Sequence, residues 1–146
     1  MRGLLALLVL VLALPALAGE DRPWVRYVEY DGSFEDAVFG VESAIIDRGL
    51  KVDHVSHVGD MLNRTAADVG ATKQIFVKAD VYQFCSATLS RKMMETDPLN
   101  IVFCPYSVFV ADTGEKVYIG HPVYPEGPMK EVEALLDAIV RDAGEM

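Results

Sequence analysis

Two patterns of apolar residues alternate along this chain and limit the folds that it can adopt. Residues 24–30 are rich in strand-forming side chains, whereas the apolar residues of 34–45 recur at the spacing of one helix face. Strand-type segments lie at 24–30, 50–58, 74–84, 101–111 and 116–120, and helix-type segments lie at 34–48, 60–69, 86–95 and 129–140. The predicted order of elements is therefore β-α-β-α-β-α-β-β-α.

This order fits two architectures in which helices cover a sheet. The first is an α+β fold, with a mainly antiparallel sheet and helices packed on it. The second is a thioredoxin-like mixed sheet. The residues alone leave both architectures open, because each one alternates strands with helices and ends on a hairpin and a helix.

Residues 1–18 have the features of a cleavable signal peptide. Arg2 supplies a positive charge, and residues 4–14 form an unbroken apolar run of 11 residues. A transmembrane helix needs roughly 17–25 apolar residues, so this run is too short to span a bilayer. We therefore predict cleavage after Ala18, a single domain at 19–146, a periplasmic or secreted location, and no stable membrane insertion after cleavage.

The net charge of the chain limits the classes of partner that it can bind. The sequence has 22 acidic and 13 basic residues, which gives a formal net charge of −9. Nucleic acids and anionic membrane surfaces are bound by basic faces, so the acidic balance argues against both. We expect an unknown small ligand or a protein partner, and no nucleic acid.

The chain has two cysteines, and each lies at a distinctive place. Cys85 falls where a predicted strand passes into a helix, and the helix N-terminus can lower the pKa of a thiol there. Cys104 precedes Pro105, at a position compatible with a cis peptide bond, although most X–Pro bonds are trans. In an oxidising compartment the pair can form a disulfide, and the alternatives are two neighbouring reduced thiols or two unrelated buried cysteines.

Motifs for other chemistry are weak or absent. The spacing of the cysteines is far from Cys-x-x-Cys, and the chain has no hydrolase, metalloprotease or phosphate-loop motif. His54 and His57 lie three apart on a predicted strand, so their side chains should point to opposite faces. We predict no metal site and no cofactor, although a copper(I) ion joining Cys85, Cys104 and one distant Met or His is chemically reasonable.

Residues 84–112 (FCSATLSRKMMETDPLNIVFCPYSVFVAD), followed by KVYIGHP at 116–122, resemble domain-of-unknown-function family 302. The resemblance extends over roughly residues 25–142. Its most specific part is a strand-to-helix cysteine paired with a later cysteine–proline element. Many members have the order Pro-Cys at the second element, whereas this chain has Cys104-Pro105 followed by Tyr106.

The resemblance implies a compact α+β domain similar to the TATA-box-binding-protein-like class of folds. It also makes a homodimer plausible, and it supplies no established reaction.

These observations lead to one functional prediction and two alternatives. We expect an exported ligand-binding or redox-responsive binding protein, non-catalytic rather than enzymatic and with no catalytic residue assigned. The first alternative is a thiol-dependent, thioredoxin-like enzyme with Cys85 as nucleophile and Cys104 as resolving thiol. The second is an interaction protein stapled by a disulfide. The candidate ligand site consists of Cys85, Ser86, Cys104, Pro105, Tyr106 and His121.

Overall fold

The computed structural model describes residues 22–146, and the predicted signal peptide lies outside this range. Within it, the strands and α-helices follow the predicted order, with one 3₁₀ helix added. The strands are β1 (Val25–Tyr30), β2 (Val52–Ser56), β3 (Lys78–Phe84), β4 (Tyr106–Asp112) and β5 (Val117–Pro122). The helices are α1 (Phe34–Ile46), α2 (Val58–Thr65), α3 (Ala87–Thr96), the 3₁₀ helix (Pro98–Phe103) and α4 (Lys130–Gly144).

The five strands form one open sheet in the order β1-β5-β4-β3-β2. Every neighbouring pair in it is antiparallel. The predicted α+β fold is confirmed, and the thioredoxin-like mixed sheet is wrong for residues 22–146. The reason is that a mixed sheet needs parallel strand pairs, whereas here β3 pairs antiparallel with both β2 and β4, and β5 pairs antiparallel with both β4 and β1.

Helices α1 and α4 cover one face of this sheet and pack against each other. Ser33 caps α1 by accepting a hydrogen bond from the Asp36 backbone N–H at 3.0 Å, as its position in the sequence predicts. The two helices approach closely at Gly40, where an added Cβ would lie 2.9 Å from the Ala143 carbonyl oxygen. Larger apolar residues fill the space between these helices and the sheet: Val41, Ile45, Val108, Ile119, Leu136 and Ile139.

Several predicted boundaries are wrong, including both ends of α2, and local chain geometry explains the clearest one. Residues 101–103 belong to the 3₁₀ helix and not to β4, and Val102 is 75% exposed. Asp97 and Pro98 start this turn directly after α3, and the Asp97 carboxylate accepts a hydrogen bond from the Leu99 N–H at 2.9 Å. Capping therefore overrides the strand propensity of the apolar run. In addition, β3 begins at Lys78, and His57 lies at the start of α2 and not in β2.

A buried carboxylate holds the proline-rich loop that joins β5 to α4. Glu133 is 4% exposed and accepts hydrogen bonds from the Tyr124 backbone N–H at 2.6 Å and the Lys130 Nζ at 3.0 Å. Burial alone would raise the pKa of Glu133, but these donors outweigh it, so the pKa is lowered. The charged form of Glu133 is therefore the form that fixes the loop.

We expect Glu133→Ala to destabilise the fold by about 2–3 kcal/mol, because it leaves the buried Tyr124 N–H without an acceptor. Urea denaturation measures this loss. Glu131→Ala, which removes an exposed carboxylate on the same helix, is the matched control and should cost less than about 1 kcal/mol. Equal losses for the two variants would contradict the role of Glu133.

The Glu133 carboxylate also makes the stability of the fold depend on pH. Because the folded-state pKa of Glu133 is lowered, its contribution is fully present above the unfolded-state pKa of about 4.3 and is lost as the pH falls through the folded-state value. The stability difference between the wild-type protein and Glu133→Gln should therefore shrink on acidification below about pH 4.

Candidate functional site

The pairing of β3 with β4 brings the two cysteines together. Phe84, the last residue of β3, pairs with Tyr106, the first residue of β4. Cys85 follows the one strand and Cys104 precedes the other, and their sulfur atoms lie 3.3 Å apart. A disulfide bond is about 2.05 Å long, so these are two thiols in contact and not a bonded pair. Of the three alternatives left open by the sequence, two unrelated buried cysteines is wrong.

Cys85 lies just outside helix α3, and this position changes its chemistry. Ser86 is the N-cap, and its hydroxyl accepts a hydrogen bond from the Leu89 N–H at 3.3 Å. Although the Cys85 residue is exposed, partial desolvation of its thiol, followed by the contact with Cys104, raises the pKa of Cys85 to about 11. The Tyr106 N–H opposes this shift only in part. The pKa of Cys85 is therefore raised, although the residue lies beside the N-terminus of α3.

A second layer of side chains supports the thiols from below. The Ser90 hydroxyl on α3 lies 3.5 Å from the Cys104 sulfur and donates a hydrogen bond to the Tyr106 hydroxyl at 3.2 Å. The buried Tyr106 ring makes an edge-to-face contact with Tyr124 at 6.3 Å between ring centres. Tyr124 in turn packs against Phe103. The base of the site thus consists of the Ser90 hydroxyl on α3 and a cluster of aromatic rings beside it.

Sequence reasoning missed Ser90, Phe103 and Tyr124. Ser90 follows the N-cap Ser86 by one helical turn, so the helical spacing was a usable signal for it. Tyr124 had no such signal, because it reaches Tyr106 only through the fold of the proline-rich loop.

The remaining predicted site residues differ in their placement. Pro105 is exposed beside the thiols, and the Cys104–Pro105 peptide bond is cis. His121 is fully buried, and its ring nitrogens lie 2.9 Å from the Pro122 carbonyl oxygen and 3.0 Å from an Asp137 carboxylate oxygen. Its polar atoms are therefore engaged between β5 and α4 and not with the cysteine pair.

Metal ions in proteins require sets of ligating side chains such as His, Cys, Asp and Glu. Among residues 22–146, no group of three or more His, Cys, Asp or Glu side chains could hold a metal. The Nδ1 atom of His57 is hydrogen-bonded to the Asp80 carboxylate at 2.8 Å, so this histidine is engaged away from the thiols.

No helix among residues 22–146 is long and apolar enough to cross a membrane.

The fold and the site together define a small α+β domain with a pair of adjacent thiols at the ends of two central strands. The chain belongs to the family described as "Domain of unknown function DUF302", whose model matches residues 26–141. This confirms the resemblance seen in the sequence. A search of curated proteins found no match.

Among the solved structures that resemble this chain, the following one is similar over most of its length. It is the crystal structure of the uncharacterized conserved protein DUF302 from Bacillus stearothermophilus, with a TM-score of 0.59 and 15% sequence identity. The similarity covers 84% of this chain and 94% of that chain. At this low identity the comparison shows a shared fold.

The raised pKa of Cys85 predicts a distinctive alkylation profile. In the reduced protein, the rate of Cys85 alkylation by iodoacetamide should rise about tenfold per pH unit from about pH 7 to about pH 10, because only the thiolate reacts. Mass spectrometry of the labelled peptide gives the rate. Cys104→Ser removes the second cause of the shift, so its profile should level off at a lower pH. A plateau near pH 8 in the wild-type protein would contradict the environment described for Cys85.

Proposed function

We propose that this domain is an exported, redox-responsive binding protein in which Cys85 and Cys104 interconvert between a dithiol and a disulfide. The observation that carries the proposal is the 3.3 Å separation of the two sulfur atoms, which lie on segments held side by side by the β3–β4 pairing. The predicted signal peptide supports the proposal, since disulfides persist in oxidising compartments outside the cytoplasm.

The proposed exchange uses a disulfide from solution, R–S–S–R, as the oxidant. The exposed Cys85 reacts first as its thiolate: it forms a mixed disulfide with one R–S group and releases the other as R–S⁻. The Cys104 thiolate then attacks the Cys85 sulfur, closes the Cys85–Cys104 bond and releases the second R–S⁻. The two protons from the cysteines go to the released thiolates, so the products are the protein disulfide and two R–SH.

Oxidation of the two cysteines would change the positions of the groups that surround them. Closing the bond requires the sulfur atoms to move from 3.3 Å to about 2.05 Å. The Cys104 sulfur contacts the Ser90 hydroxyl, which also donates a hydrogen bond to the Tyr106 hydroxyl. A shift of this sulfur would therefore change the contacts of Ser90 beneath the site. Cys85 and Pro105 are exposed, and they form the surface that a small ligand or a protein partner would contact.

The raised pKa of Cys85 favours a responsive pair over a thiol-dependent enzyme. A pKa of about 11 leaves roughly one thiolate in ten thousand at neutral pH, whereas catalytic cysteines have lowered pKa values. A disulfide that acts only as a staple is the second candidate, because a bond closing the segment between the cysteines would add roughly 3 kcal/mol of stability in the chain-entropy model.

The test is the reduction potential of the pair. The purified protein is equilibrated in glutathione buffers of graded potential, denatured, alkylated and weighed by mass spectrometry. We expect two alkyl groups on the reduced form, none on the oxidised form, and a midpoint near that of an oxidising compartment, about −200 mV. Cys85→Ser and Cys104→Ser are matched controls that should each keep one alkyl group and form no intramolecular bond.

Two outcomes would decide against the proposal. A midpoint below about −300 mV would indicate a permanent structural staple. Full alkylation of both cysteines after equilibration with the most oxidising buffer would mean that the pair does not close.

A further inference from the structure

Part of the sheet face opposite α1 and α4 is apolar where a solvated face is expected. The strand register aligns Tyr27, Gly120, Phe109 and Val81 in one row across β1, β5, β4 and β3. The tyrosine, phenylalanine and valine side chains of this row are each half-buried. Antiparallel sheets that face water on one side alternate apolar with polar residues, and this face departs from that rule.

Small residues next to this row leave a hollow between aromatic walls. Tyr118 pairs with Ala111, and Ala111 pairs with Ala79, so two alanines form the floor of the neighbouring row. The rings of Tyr27 and Tyr118 meet edge to face at 5.6 Å and form one wall. The resulting cleft has a volume of about 590 Å³, which is within the range of small-molecule sites.

A glycine in the row leaves space for an aromatic ring from the neighbouring strand. A Cβ at Gly120 would lie 2.6 Å from the tip of the Phe109 ring, so no other residue permits this packing without a shift. Phe109 therefore presents a ring to the cleft, in addition to the Tyr27 and Tyr118 rings. Among residues 22–146, no hydrogen bond engages either tyrosine hydroxyl, so both are available to a ligand.

Charge at one end of the cleft selects the kind of ligand. Glu115, on the β4–β5 hairpin, lines the cleft and also the neighbouring depression, which Asp31 and Asp112 line as well. Within the described residues, none of these three carboxylates forms a salt bridge. Arg22 lies at the opposite end, before β1. The hairpin end is therefore negative.

We infer that this cleft binds a small organic cation with an aromatic or aliphatic body. The apolar body would fill the hollow over the two alanines, and the cationic group would meet the aromatic ring faces and Glu115. A second copy of the chain is disfavoured as occupant, because each chain carries a formal net charge of −9 and two copies repel each other. The inference is independent of the redox proposal, since the cleft shares no lining residue with the cysteine pair.

The test uses thioflavin T as an aromatic cation and anilinonaphthalene sulfonate as an aromatic anion. We expect thioflavin T to bind the purified protein with one dye per chain, and at least about tenfold more tightly than the anion. Tyr118→Ala should weaken thioflavin T binding at least about fivefold, because it removes a cleft wall. Fluorescence titration at low ionic strength measures both affinities.

The exposed Glu115 gives a variant that should not disturb folding. Glu115→Gln should weaken thioflavin T binding about threefold at low ionic strength, and the effect should vanish in high salt. Glu145→Gln makes the same charge change at the exposed end of α4 and should leave the affinity unchanged. If Tyr118→Ala does not fold, Ala111→Leu replaces it in the test. The leucine side chain fills the floor of the cleft and should abolish thioflavin T binding.

Three results would overturn the inference. The first is equal affinity for the cationic and anionic dyes. The second is an equal effect of Glu115→Gln and Glu145→Gln. The third is a dimer in sedimentation velocity that binds no dye and dissociates on Tyr118→Ala, which would identify a second copy as the occupant of this face.

Discussion

The register between β3 and β4 is the constraint on which the rest of this domain depends. With Phe84 opposite Tyr106, both side chains point into the core beneath α1 and α4, and the chain segments just beyond the strands meet. If one of the two strands slipped by one residue, its aromatic side chain would turn towards the opposite face. The same slip would separate Cys85 from Cys104, so the core and the thiol pair are fixed by one set of backbone hydrogen bonds.

The surroundings of the thiols depend on parts of the chain that are distant in sequence. Glu133 on α4 holds the backbone of Tyr124, and the Tyr124 ring packs against Tyr106. Tyr106 shares a hydrogen bond with Ser90, which contacts the Cys104 sulfur. The loop after β5 therefore supports the base of the thiol site. The opposite face of the same sheet carries the apolar cleft, and the strand alternation keeps the two surfaces apart.

Much of the fold could be predicted from the sequence, because its elements have strong local signals. The Ser33 cap of α1 and the turn at Gly49, whose φ is +71°, lie where the pattern places them. The prediction failed at residues 101–103, where an apolar run resembles a strand but a capped turn forms instead. The raised pKa of Cys85 could not be predicted, because the sequence does not reveal that Ser86 takes the capping position and that the thiol is desolvated.

By itself, the sequence determined the order of strands and helices, since periodicity, caps and turn residues act over a few neighbouring positions. Its resemblance to a known family identified the family and implied the α+β class. Only the tertiary structure decided that every strand pair is antiparallel, that the two thiols lie in contact, and that His121 is engaged by Asp137 away from them. These features depend on contacts between distant segments. A local pattern does not specify such contacts, because they arise only when the sheet and its helices pack together.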